Sequence, residues 1–165
     1  MSDDTPIWGA KFSKVRNEIY VVGDQSVKIW NAQSGKPVRV LKNIFSALDN
    51  ITYIRLDDTH RQIVVGSHLG EIKVYDILSG LMTHQLEGHS KDAGEISFLG
   101  YGDGDSTVIS VAWDKVIKVH KDEKVDEGLR QGHTATSLRS KGRCHEKDIT
   151  CADYHHKLGL IATGA

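Results

Sequence analysis

Three copies of one short line set the limits on what this chain can fold into. Val27-Lys28-Ile29-Trp30, Ile72-Lys73-Val74-Tyr75 and Ile117-Lys118-Val119-His120 each read apolar, Lys, apolar, ring. Their first residues stand at 27, 72 and 117, an interval of 45 both times. A fixed period of about 20 to 50 residues marks a repeat architecture. Within each copy the alternation has a period of two, which reads as a β-strand with one face buried. The three lysines then fall on the opposite, outward face, and a basic interaction stripe along them is the functional alternative.

The rest of each unit follows the same grammar. A strand A is set by Ile7/Ala10/Phe12, Ile51/Ile54/Leu56, Ala93/Ile96/Phe98 and Ile149/Ala152/Tyr154. A nearly continuous apolar strand B follows, such as Ile19 to Gly23 or Gln62 to Gly66, as expected of a strand buried on both faces. The repeated line is strand C. A turn cluster such as Asn31 to Gly35 leads to strand D, where Pro37 suits a sheet edge. The units divide as residues 5–42, 49–87 and 88–131, with strand D of the third near Leu129. Gly100 to Asp105 reads as an A–B turn, residues 132–144 as an inserted loop, and 145–165 as a unit of two strands. Stopping there leaves an open, buried-type strand, so the expectation is a fragment of something longer.

Composition narrows the classes. A formal net charge of -1 over 165 residues lacks the basic surface of a sequence-independent nucleic-acid binder. No apolar run approaches the roughly 18 residues of a membrane span, and Met1 to Asp4 is no secretory signal. The two cysteines, Cys144 and Cys151, are too few for a disulfide framework and fit a reducing, intracellular compartment.

Four short strands per repeat, a Gly-His and a terminal ring–acid pair resemble the WD-repeat pattern of β-propellers. Trp30-Asn31 and Tyr75-Asp76 stand in the Trp-Asp slot and Gly88-His89 in the Gly-His slot. His145 takes the place of His89 in the last unit, and Asp24 and Asp114 that of the turn aspartate. Trp113-Asp114 lies in the B–C turn, His120-Lys121 fills the third signature slot, and Leu69 replaces the second turn aspartate. The resemblance implies an all-β WD-repeat β-propeller, about three and a half four-stranded antiparallel blades of a larger ring. In that family a His, a turn Asp, a strand B Ser or Thr and the Trp share a buried hydrogen-bond network. No complete unit here has all four, so the blades are expected to lean on apolar packing. The strings Ser110 to His120, Arg61 to Val74 and Asp148 to Gly164 further resemble cilia- and flagella-associated WD-repeat proteins, some of which carry EF-hands. That implies an axonemal structural role. It carries over no calcium site, because no EF-hand loop is present.

Other constellations have plainer explanations. Asp103 and Asp105 among glycines lack the remaining oxygen ligands of a calcium loop and read as a turn. Cys144, His145, Cys151, His155 and His156 lack the close pairs of a zinc site, with Cys144 and Cys151 seven apart. No G-x-S-x-G elbow marks a nucleophile. No catalytic, cofactor or metal residue is therefore assigned. The expected function is a non-enzymatic protein-interaction scaffold, cytoplasmic or in the ciliary axoneme, within a large assembly. Its partners are other proteins, with no nucleic acid or membrane. A soluble adaptor in ubiquitin ligation or trafficking is the alternative, and a propeller enzyme or ligand-binding propeller ranks below it. Contacts are expected at the B–C turns (Gln25, His68, Lys115) and in the polar loop (Arg139, Lys141, Arg143).

Overall fold

The computed structural model describes residues 6–23, 25–92, 94–102, 107–121, 134–135, 137–141 and 145–165. Strands β1 (Gly9–Ser13), β2 (Glu18–Val22), β3 (Ser26–Asn31) and β4 (Pro37–Lys42) form the first antiparallel sheet, in that order. The second contains β5 (Ile51–Leu56), β6 (Gln62–Ser67), β7 (Ile72–Asp76) and β8 (Met82–Leu86). The third contains β9 (Ile96–Tyr101), β10 (Thr107–Ala112), β11 (Ile117–Lys121) and, from further along the chain, β13 (Ser137–Lys141). β12 (Thr134–Ala135) joins the outer side of β8, and β14 (Cys151–His155) pairs with β15 (Leu160–Gly164). The architecture is thus all-β, built from four-stranded antiparallel units, as the repeat implies.

Two local expectations are corrected. The segment 132–144 is no plain inserted loop, because Ser137 to Lys141 supply the fourth strand of the third sheet, Val119 facing Arg139. That segment is polar because it makes an edge strand, and polarity alone does not separate an edge strand from a loop. Leu129 lies outside the described residues. The A–B turn of the third unit also starts later than expected, since β9 continues through Gly100 and Tyr101. Gly100 sits against the Phe98 ring, where an added Cβ would come within 2.9 Å of it.

The sheets stack face to face, and the residue alternation shows how. Ile63 and Val65 of β6 pack in a cluster with Tyr20, Ile29 and Leu41 of the first sheet. Val64 between them packs instead with Ile96, Leu99 and Val108 of the third. Phe98, Val111 and Ile149 begin the next cluster, against Tyr154 and Ile161. Successive side chains of a strand point to opposite faces. A strand B buried on both sides therefore feeds two different cores, which is why it reads as an unbroken apolar run. Gly66 marks a close approach between sheets, since a Cβ there would meet Ile96 Cγ2 at 2.6 Å.

Candidate functional site

The polar chemistry concentrates where the D–A loop ahead of each sheet meets that sheet's B–C turn. In the third sheet, His89 Nδ1 lies 3.0 Å from both carboxylate oxygens of Asp114. His89 Nε2 lies 2.8 Å from Ser110 Oγ, which lies 2.9 Å from His120 Nε2. The backbone N–H groups of Ser90 and Val116 also donate to Asp114. The unit lacks the family's Trp, and the network closes with the His120 imidazole in that slot. An arrangement that satisfies every contact runs one way: His120 Nε2–H to Ser110, Ser110 O–H to His89 Nε2, and His89 Nδ1–H to Asp114. An indole N–H would donate in the same place. Unlike an indole, the imidazole keeps a second nitrogen, and His120 Nδ1 is buried with no hydrogen-bond partner among the described residues.

The electrostatics follow from burial. His120 is fully buried, and burial pushes its imidazole down to about 4, with the nearby His89 and Lys118 acting in the same direction. Burial works against the Asp114 carboxylate, but the bonds from His89, Ser90 and Val116 outweigh it and hold it below the usual range. Ser110, His89 and Asp114 also stand in the order nucleophile, base, acid. Ser110 is 0 % exposed, and its Oγ sits between two imidazoles. The group ties the loop ahead of β9 to β10, β11 and the turn between them.

The neighbouring units build the same tie from other residues. His145 Nε2 lies 2.7 Å from Thr163 Oγ1, the counterpart of His89 and Ser110. In the second unit, where Leu69 replaces the turn aspartate, buried Asp49 of the D–A loop accepts from the Leu69 N–H at 2.9 Å. The acid has moved from the turn to the loop, and the tie is made from the other side. Gly88 completes the Gly-His pair for a steric reason: a Cβ there would come within 2.7 Å of Gly70 O, to which His89 N–H donates. Asn31 and Asp76, the signature acids' positions, cap the C–D turns by accepting from Ser34 and Ser79 backbone N–H. These bonds, led by Ser79, hold the Asp76 carboxyl below its usual range.

Lys73 and Lys118 do not face outward, which corrects the expectation of an outward row for these two. Ile72 and Val74 pack towards the third sheet, so Lys73 between them points back to the first. Its Nζ donates to Ile44 O at 3.1 Å and stands 4.8 Å over the Phe45 ring. Tyr75 points the same way, its O–H 3.4 Å from Ile44 O. Lys118 likewise reaches back to Gly88 O and to Glu87, both at 2.7 Å. Lys28 and Trp30 occupy the corresponding positions on the first sheet, whose rear face also carries exposed Phe12, Val38 and Val40.

Gln25, His68 and Lys115 share one rim, and each is tied to the next D–A loop. Gln25 Nε2 donates to Ala47 O, His68 Nδ1 meets Glu95, and Lys115 Nζ donates to Glu146 O. Exposed Leu48 and Trp113 lie on the same loops and turns. Arg139 and Lys141 fall on β13, with Lys141 opposite Ile117, two residues past Lys115 of the B–C turn. Asp24, Asp103, Asp105, Arg143 and Cys144 lie outside the described residues. Sequence reasoning missed Asp49 and Thr163, and the repeat interval applied to polar as well as apolar residues is the signal that points to Ser110. Among the described residues no three His, Cys, Asp or Glu side chains group as a metal site. No described helix is long and apolar enough to cross a membrane.

No family model matches the chain. It is 28% identical over 145 residues to Meiotic fizzy-related protein 1 of Schizosaccharomyces pombe, covering 84% of this chain and 29% of that protein. It is 30% identical over 110 residues to Cilia- and flagella-associated protein 337 B of Tetrahymena thermophila, covering 66% of this chain and 8% of that one. The chain therefore spans less than a third of either relative. Among solved structures it resembles a computationally designed protein, Ika4, with a TM-score of 0.70 and 22% identity over 99% of this chain and 92% of that one. It also resembles a chain of the Mitotic Checkpoint Complex, with a TM-score of 0.74 and 16% identity over 99% of this chain and 46% of that one. These two likenesses show the fold.

Proposed function

The chain belongs to the WD-repeat β-propeller family, and on that premise we propose that it is a non-enzymatic protein-interaction scaffold. The observation that carries this reading is the use made of its polar side chains. His89, Ser110, Asp114, His120, Asp49 and Lys118 all hold loops and sheets to one another. What the fold presents is a fixed rim, with Gln25, His68 and Lys115 braced against the following loops and Leu48 about 90% exposed beside them. Apolar and aromatic residues on a rigid rim are suited to anchor partners. Arg139, Lys141 and Arg143 are proposed as further partner contacts on their positive charge alone. An enzymatic role has less support, since the serine of the triad-like group among the described residues is fully buried.

The proposed setting is the ciliary or flagellar axoneme, supported by the likeness to the Tetrahymena protein. A soluble cytoplasmic adaptor is the second reading, favoured by the fizzy-related protein, which matches more of this chain. Fractionation of detergent-extracted ciliated cells separates the two. The axonemal reading expects the protein in the axonemal pellet, and expects Leu48→Glu with His68→Ala to release it at unchanged thermal stability. Unmodified protein in the supernatant, bound to partners that the same variant loses, would support the adaptor. A variant that leaves every partner bound would overturn the rim as the contact surface.

A further inference from the structure

The C–D turns of the first two units are the same structure built from different residues. Asn31 accepts from the Ser34 N–H in the first, and Asp76 accepts from the Ser79 N–H in the second. Gly35 and Gly80 follow, both with positive φ, and donate back to Asn31 O and Asp76 O at 2.9 and 2.8 Å. The first turn fills its remaining positions with Gln33, Lys36 and Pro37, and the second puts Leu78, Leu81 and Met82 there. The turn geometry therefore does not call for these apolar residues. Neither does the core, since Ile77 is buried but Leu78 is 53%, Leu81 68% and Met82 49% exposed. A lone exposed leucine needs no explanation. Three large apolar side chains on one turn, where the matching turn does without them, mark a surface built for contact.

A fixed charge stands beside that surface. Exposed Arg39 of β4 reaches over from the first sheet, with Nη1 donating to Ser79 O at 2.9 Å and Nη2 to Leu78 O at 2.7 Å. Both acceptors are neutral carbonyls, so the guanidinium keeps its full charge. The two bonds hold it in place and leave most of its N–H donors uncommitted. Among the described residues Arg39 pairs with no carboxylate. The carboxylate of the turn itself, Asp76, is taken up by the Ser79 N–H.

We infer that Leu78, Leu81, Met82 and Arg39 form a docking site for a short segment of a protein partner, one that brings apolar side chains to the turn and a carboxylate to the guanidinium. A planar guanidinium held in one orientation matches a single carboxylate in two parallel bonds. An anionic lipid surface would instead call for a spread of cations. The C–D turns lie at the opposite strand ends from the B–C turns, so this site is separate from the rim of Gln25, His68 and Lys115. It stands whether or not partners bind that rim.

Selection of a phage-displayed library of random dodecapeptides on the intact protein tests it. The comparison protein is Leu78→Gln with Leu81→Lys, which gives this turn the first unit's residues. Peptides that bind the parent at least tenfold tighter than this variant should be recovered, and should carry apolar residues beside an Asp or Glu. Replacing that acid by Gln should weaken binding to the parent at least fivefold and leave binding to Arg39→Gln unchanged. Leu48→Glu with His68→Ala should bind the same peptides as tightly as the parent, which separates this site from the rim. If the turn variant loses its fold, Leu81→Gln alone must weaken binding in the same direction. Failure to recover any peptide that tells parent from variant would overturn the site. So would an acid whose replacement weakens binding to the parent and to Arg39→Gln alike. Self-association of the parent, or its binding to phosphatidylserine vesicles, would also overturn it if the turn variant abolished either one.

Discussion

His120 Nε2 stands 2.9 Å from Ser110 Oγ in the fully buried centre of the third sheet, and the other imidazole nitrogen has no hydrogen-bond partner among the described residues. The slot works because it needs one N–H donor aimed at the serine, which an imidazole supplies as well as an indole does. What differs is that an imidazole can also take up a proton.

Stability should therefore fall in acid earlier than a Trp in that slot would allow. The folded-state value of His120, about 4, lies below its ordinary 6.5. Between those values the unfolded chain binds more protons, so this contribution is fully present above about pH 6.5 and is lost as pH falls through 4. The loss is on the order of 3 kcal/mol. Urea unfolding at steps from pH 7.5 to 4 measures it. The His120→Trp variant should show a flatter profile over the same range, and an equal slope in both would remove His120 as the cause.

Replacing Ser110 by Ala leaves two buried imidazole nitrogens without their shared partner, at a cost of about 3 kcal/mol. Ser110→Thr should retain most of the stability, since Thr163 performs the same task beside His145. Equal losses for the two variants would point to packing, not the hydroxyl, as the contribution of residue 110.

Lys118→Met should destabilise by about 1–2 kcal/mol, because Gly88 O loses a charged donor. A solvent-facing lysine would change stability by less than about 0.5 kcal/mol. The midpoint of chemical denaturation decides between the two, and a null effect would restore the outward stripe.

Gly35 and Gly80 occupy matching turns, with φ of +64° and +73°. Gly35→Ala should cost only the left-handed backbone term, about 1 kcal/mol. Gly80→Ala should cost more, because a Cβ there meets Arg39 Nη1 at 2.8 Å, whereas nothing lies within 4 Å at Gly35. Arg39 donates to Leu78 O and Ser79 O across the sheet boundary, so the clash loosens that clasp. In an Arg39→Ala background the two glycine substitutions should become alike, and a persistent gap would deny the coupling.

The strand grammar was legible because alternation and turn residues are local properties. Trp113-Asp114 was placed in the B–C turn by spacing alone, and the structure puts it there. The fourth strand of the third sheet was not legible. Ser137 to Lys141 carries no apolar alternation, and only pairing with β11 makes it a strand. The Asp49 tie was hidden for a related reason: the acid moved from one loop to its spatial neighbour, which sequence distance does not register.

The amino-acid order by itself determined the period, the strand order within each unit and the apolar residues of strand B, since these need only the geometry of one strand. Tertiary structure decided what lies opposite each face. A lone amphipathic strand has a wet side, so Lys73 and Lys118 looked exposed. Stacked sheets have neighbours on both sides, and there the same lysines become internal donors to the preceding D–A loop. The direction in which a side chain points is local, whereas the group that meets it there depends on which sheet comes to rest alongside.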